Sequence, residues 1–190
     1  MNAQRQLSNV AKNYLCRFYE ILDKMVCEMT NAELTNSISS NFINQMIPHH
    51  WAAIEMSQNI LQYTTCVPLQ RIAENIIVEQ TKSIENMEAI RMRCSELKNT
   101  EADLCLYQRK FQQIAQNMFT NMREACSTNQ INANFIREMV PHHRGAICMC
   151  ENALQYSICP ELVPVLCSII QSQQAGVRRM ERLLRCICGS

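Results

Sequence analysis

Asn41-Phe42-Ile43-Asn44-Gln45-Met46-Ile47-Pro48-His49-His50 and Asn134-Phe135-Ile136-Arg137-Glu138-Met139-Val140-Pro141-His142-His143 are one string written twice, 93 residues apart without a gap. The chain has four histidines in 190 residues, and all four lie in these two pairs. A residue type confined to one repeated context answers a local demand and is not surface decoration.

The register extends outward from the string. Tyr14 matches Tyr107, Phe18 matches Phe111, Ile21 matches Ile114, and Ala53-Ile54 matches Ala146-Ile147. Leu61-Gln62-Tyr63 matches Leu154-Gln155-Tyr156, Ile76-Ile77 matches Ile169-Ile170, and Gln80 matches Gln173. Two tandem copies, 1–96 and 97–190, therefore fill the chain. Such a period is too long for a solenoid unit and suits a duplicated half-domain or small domain. No linker rich in Gly, Pro or Ser separates the copies, so they are expected to pack as one compact domain.

Composition points to helices. Only three Gly and five Pro occur, which leaves few turns and favours a handful of long helices over many short strands. The net charge of +1, with no Lys/Arg stripe, provides no electrostatic footprint for nucleic acid or an anionic membrane. No apolar run approaches the roughly 20 residues of a membrane span. Met1 to Val10 is polar and lacks an apolar h-region, so no signal peptide is read and a cytoplasmic location is expected. A secreted chain with its leader trimmed would read the same.

Tyr14, Phe18, Ile21, Leu22, Met25 and Met29 recur at three- and four-residue intervals and place a first helix at about 5–29. A polar loop from Asn31 leads to Ser40 as the expected N-cap of a second helix, 41–63. Pro48 should kink that helix or mark its true start. Pro68 and Pro160 suit the first turns of third helices running to about 95 and 187. Asn99-Thr100-Glu101-Ala102-Asp103 reads as a cap opening the second copy, with helices at 101–125, 134–157 and 160–187.

At about 100° per residue, Met46, Ala53 and Ile60 define the centre of an apolar face, with His49 and His50 on either side of it. Both imidazoles can point inward, and Met56 follows His49 two turns on. Gln80 and Gln173 each interrupt an apolar stripe on the third helix; a buried amide needs a partner, and an imidazole whose tautomer it fixes is the simplest one.

Ten of the twelve methionines correspond at the 93-residue offset, among them Met46/Met139 and Met56/Met149, whereas of the twelve cysteines only Cys66 and Cys159 do. The methionines belong to the shared plan and most cysteines do not. Without a secretion signal a disulfide framework is the weakest reading of the cysteines, behind metal thiolates and buried thiols.

Met46-Ile47-Pro48-His49-His50-x-x-Ala53-Ile54-x-Met56, followed by Ile76-Ile77-x-x-Gln80-x-x-x-Ile84-x-x-Met87, resembles domain-of-unknown-function family 305. That resemblance covers most of the chain and implies a bacterial, ferritin-like helical bundle. Some family members are associated with copper binding outside the cytoplasm. The second copy departs from the pattern, with Gly145 for Ala52, Cys148 for Glu55 and Arg178 for Glu85.

The expected fold is thus an all-α, ferritin-like bundle of two tandem three-helix repeats, with helices 41–63 and 134–157 as core neighbours. The leading function is a soft-metal site for copper(I) built from His49, His50, His142, His143, Met46, Met56, Met139 and Met149. Imidazole and thioether suit copper(I), and zinc is a second candidate although no Cys-x-x-Cys pair occurs. Cys148 and Cys150 are accessory candidates, and Gln80 and Gln173 outer hydrogen-bonding groups. Cys186-x-Cys188 is either a separate thiol pair or an idle tail.

Two alternatives stand beside this reading: a structural or partner-binding bundle whose imidazoles hold a polar core, and a thiol-based copper(I) store. Self-association is an open partner class. No Glu-x-x-His of a di-iron oxidase and no Gly-rich oxyanion loop occurs, so no enzyme is expected.

Overall fold

A computed structural model describes residues 6–188, and the described residues form six α-helices with no strand. They are α1 (Asn9–Thr30), α2 (Ile38–Leu61), α3 (Val67–Cys94), α4 (Glu101–Arg123), α5 (Ile131–Ala153) and α6 (Leu162–Cys188). Caps explain several starts. Ser8 Oγ accepts from the Ala11 N–H at 3.1 Å, and Thr100 Oγ1 accepts from the Asp103 N–H at 3.1 Å. Glu101 and Asp103 add negative charge at the positive end of α4.

Other boundaries differ from expectation. The expected start of the first helix at residue 5 lies outside the described residues. The α2 helix begins at Ile38 with Ser37, not Ser40, as its cap. Ser37 Oγ also donates to the Cys94 carbonyl (3.0 Å), and Asn99 Oδ1 accepts from the Ile38 N–H (2.9 Å). These tertiary partners extend the helix by a turn. Pro48 and Pro141 mark no boundary: each lies inside its helix, leaving one carbonyl a turn earlier without its usual donor. Pro68 occupies the first turn of α3 as expected, whereas Pro160 sits in the turn ahead of α6 and Pro164 takes the early helical place. The expected ends at 63, 125 and 157 shorten to Leu61, Arg123 and Ala153.

The sequence decides which helices are central. In α2, 17 of 24 residues are buried, against 8 of 28 in α3, so α2 is covered nearly all round. Its counterpart α5 is similarly enclosed. The α2 helix packs on α1 and α3, α5 packs on α4 and α6, and the two halves meet chiefly through α2–α5 and α3–α6, with a smaller contact between α1 and α4. Contacts recur at the 93-residue offset. Asn59 Nδ2 donates to the Tyr14 carbonyl (3.1 Å) as Asn152 Nδ2 does to that of Tyr107 (3.2 Å). Tyr14 meets Tyr63 edge-on at 5.7 Å, and Tyr107 meets Tyr156 edge-on at 5.9 Å.

Phe18, Phe42, Phe111 and Phe135 are each at most 2% exposed and fill the layers around this centre. Each contributes roughly 1.5–3 kcal/mol by burial. No described helix is long and apolar enough to cross a membrane.

Candidate functional site

The four histidines project from the centres of α2 and α5, where these helices meet. His49, His50 and His142 are fully buried, and His143 is 2% exposed. Ala53 and Ala146, one turn on, are small enough to let the helices approach and are themselves fully buried. The rings of His49 and His142 stack across the two halves, with centroids 3.7 Å apart and planes inclined by 28°. Helical phase predicted that the imidazoles face inward; the stack itself depends on the helix crossing.

Hydrogen bonding defines one tautomer. His142 Nε2 lies 3.2 Å from the His49 carbonyl, which can only accept, so Nε2 carries the proton. His142 Nδ1 therefore presents a lone pair, and it is buried with no hydrogen-bond partner. His49 Nε2 is also buried without one. The adjacent Nδ1 atoms of His49 and His50 approach to 3.5 Å, and His50 Nε2 pairs with Ser83 Oγ at 2.9 Å.

Burial keeps these rings neutral. It pushes His142 down to about 4, partly opposed by the bond to the His49 backbone. Burial, followed by the neighbouring His142, pushes His50 down to about 3. His49 and His143 are also held well below the ordinary range, chiefly by burial and then by the other imidazoles. At neutral pH the cluster holds no proton charge and offers unprotonated nitrogen.

The other expected site residues divide. Met46, Met139 and Met149 are fully buried, and Met56 is 2% exposed. Cys150 is buried, close enough to Tyr107 to raise the tyrosine's pKa, burial being the larger cause. Cys148 is exposed and lines a cleft of about 630 Å³ between α4 and α5 with Lys110, Met118 and Arg144. The expected pairing of glutamine with imidazole does not form. Gln80 and Gln173 are buried as predicted, yet Oε1 of each has no partner. Ser83, one turn beyond Gln80, takes that role for His50. The residue matching Ser83 in the second half is Gly176, where a Cβ would come within 2.8 Å of His143 Cδ2 and 3.0 Å of Nε2. Cys188's side chain lies outside what is described, so the Cys186-x-Cys188 reading is not addressed.

A second buried polar contact was missed. Tyr14 Oη donates to Glu138 Oε2 at 2.5 Å, joining α1 to α5. Burial raises the Glu138 carboxyl to about 7, against the lowering effect of the tyrosine bond. The repeat carried a signal for it: Glu138 matches Gln45 within the decisive string, where one half has an acid and the other an amide.

Among the described residues, no group of three or more His, Cys, Asp or Glu side chains converges as a metal cage. The donor chemistry present is neutral imidazole and thioether, held in an interior shared by both halves.

No curated protein matches the chain. Among solved structures, CopM in a silver-bound form prepared by soaking is 26% identical, with a TM-score of 0.58 over 80% of this chain and 97% of that one. CopM in its Cu(II)-bound form is 25% identical, with a TM-score of 0.59 over 77% and 95%. A DUF305 fragment from Deinococcus radiodurans, 21% identical with a TM-score of 0.56 over 77% and 95%, shares the fold. The profile of the family described as domain of unknown function (DUF305) matches residues 21–91 and 39–184, and the chain belongs to that family.

Proposed function

We propose that this protein binds a soft metal ion, copper(I), through the buried imidazoles of α2 and α5 and the thioethers beside them in sequence. The observation that carries this reading is the buried, unpartnered lone pair of His142 Nδ1, on a neutral ring stacked against His49. An unsatisfied buried polar atom is costly, and a cation would satisfy this lone pair. Neutral imidazole with thioether matches a soft ion better than magnesium or calcium, which take oxygen ligands. The silver- and Cu(II)-bound forms of CopM, at 25–26% identity, support metal handling in this fold. His142, His49 and the buried Met46 and Met139 supply the donors; His50 and His143 complete the imidazole wall. Because stacked rings direct their lone pairs along separate planes, loading requires His49 and His142 to slide or unstack.

The test is an anaerobic copper(I) titration against a chromophoric copper(I) chelator. Wild type and an all-Cys→Ser chain should compete alike, and His142→Phe, which keeps a stackable ring, should weaken binding by at least about 10-fold, or 1.4 kcal/mol. No competition by wild type would leave the structural-bundle reading. Loss in the Cys→Ser chain with none in His142→Phe would assign the metal to thiols.

A further inference from the structure

Cys94 and Cys159 come from different halves and meet inside the protein. Cys94 ends α3 and is fully buried; Cys159 lies in the α5–α6 loop and is 6% exposed. Cys159 lies close enough to Cys94 to help hold its thiol pKa up, burial being the larger cause. Both backbones are anchored to the start of α2: Ser37 Oγ donates to the Cys94 carbonyl (3.0 Å), and the Cys159 N–H donates to Ser39 Oγ (2.9 Å). Next to the sulfurs, Arg93 clamps Glu161 in a forked pair, with Nε to Oε1 at 2.8 Å and Nη2 to Oε2 at 2.7 Å. Asn99 Nδ2 ties in the Ser157 carbonyl at 2.7 Å. The two segments are therefore fixed against one another on several sides, with both buried cysteines in the seam between them.

We infer that Cys94 and Cys159 form an oxidisable pair that closes to a disulfide between the two halves of the chain. The repeat provides an internal control: the positions matching Cys94 and Cys159 are Ile187 and Cys66, so the equivalent junction cannot form this bond. A contact present at only one of two equivalent junctions is not required by the shared packing plan.

The burial of both sulfurs selects a small oxidant, a hydroperoxide such as hydrogen peroxide, over a bulky disulfide. Cys159 has the only solvent access and reacts first. Its sulfur attacks a peroxide oxygen, an S–O bond forms, the O–O bond breaks, and water leaves with the thiol proton, giving a sulfenic acid. The Cys94 sulfur then attacks the Cys159 sulfur; the S–S bond forms, the S–O bond breaks, and the second water leaves with the Cys94 proton. Two thiols are oxidised to one disulfide, and one peroxide is reduced to two waters. Burial, then the neighbouring Cys159, pushes Cys94 up to about 12, so little Cys94 thiolate is present to meet the peroxide directly and the first step falls to Cys159.

The full chain, reduced and then treated with limiting hydrogen peroxide, is alkylated and mapped without reduction. A peptide joining residues 94 and 159 should be the main cross-link, with loss of two hydrogens and a Tm rise of roughly 5–15 °C that reductant reverses. Cys94→Ser should stop at a sulfenic acid on Cys159 that dimedone traps, and Cys159→Ser should give neither product. Cross-links scattered among the exposed cysteines, or both Cys94 and Cys159 recovered alkylated after unfolding, would overturn the assignment. The wild-type map decides the matter even if a variant fails to fold.

Discussion

In the groove between α1 and α2, Glu55 accepts from Arg17 Nη2 at 2.9 Å and Lys24 Nζ at 2.6 Å, and Trp51 lines the same wall. No room for a water remains there. The corresponding groove between α4 and α5 is a cleft of about 630 Å³. At the 93-residue offset, Arg17 becomes Lys110, Lys24 becomes Asn117, Trp51 becomes Arg144, Ala52 becomes Gly145 and Glu55 becomes Cys148. With the carboxylate gone, Arg144 turns to Glu181 on α6 (2.6 Å) and Lys110 to Gln113 (3.4 Å). Met118 packs so closely on Gly145 that a Cβ there would collide with its sulfur. One backbone plan thus carries two side-chain solutions, and the plan is kept where helices meet in the core while the outer grooves diverge. The core has its own divergence at Glu138 and Gln45.

That contrast can be broken in three places. The largest effect is expected at Glu138. Its pKa is raised from 4.5 in the unfolded chain to about 7, so its contribution is fully present below about pH 4.5 and is lost as pH rises through about 7. Glu138→Gln, which installs the residue of the first half, should match wild type near pH 4 and exceed it by on the order of 3 kcal/mol at pH 8 in urea unfolding. The imidazoles act in the opposite sense, stabilising above about pH 6.5 and losing that contribution as pH falls toward 4 for His142 and 3 for His50. They are common to both proteins and cancel in the difference. A pH-independent difference would show that the carboxyl is not held neutral.

An intermediate effect separates the two core tyrosines. Tyr14→Phe removes the donor to a buried carboxyl and should cost about 1–3 kcal/mol at pH 5. The Tyr107 hydroxyl is buried with no partner, so Tyr107→Phe should change stability by less than about 0.5 kcal/mol or raise it. Equal costs by denaturant titration would mean that both hydroxyls are engaged. The smallest effect lies in the grooves. Glu55 is only 21% exposed but its partners are half exposed, so Glu55→Ala should cost about 0.2–1 kcal/mol, while Cys148→Ala should be close to neutral. A larger cost for Cys148→Ala in thermal unfolding would show that the open cleft is held by its thiol.

Six helices were legible because their apolar residues keep helical spacing, and Thr100 because its cap is local. The inward facing of the histidines was legible from phase alone. Ser37 was passed over because the groups that favour this start are distant: Cys94 lies 57 residues from Ser37, and Asn99 lies 61 from Ile38. The same limit hid the stack of His49 on His142 and the bond from Tyr14 to Glu138, which bridge 93 and 124 residues. Gln80 was correctly placed as buried and wrongly paired, because helical phase locates a face and does not choose between neighbours on it. Ser83 was the better-placed neighbour.

The proton on His142 Nε2 has a consequence for charge. A cation arriving at Nδ1 would displace no proton from that ring, and the neutral imidazoles beside it would provide no counter-charge. The energy of confining an ion in such surroundings grows with the square of its charge, so a divalent ion is penalised about four times as heavily as a monovalent one. A site of the proposed kind would discriminate by valence before it discriminates by element, so long as Glu138, one turn ahead of His142, keeps its proton.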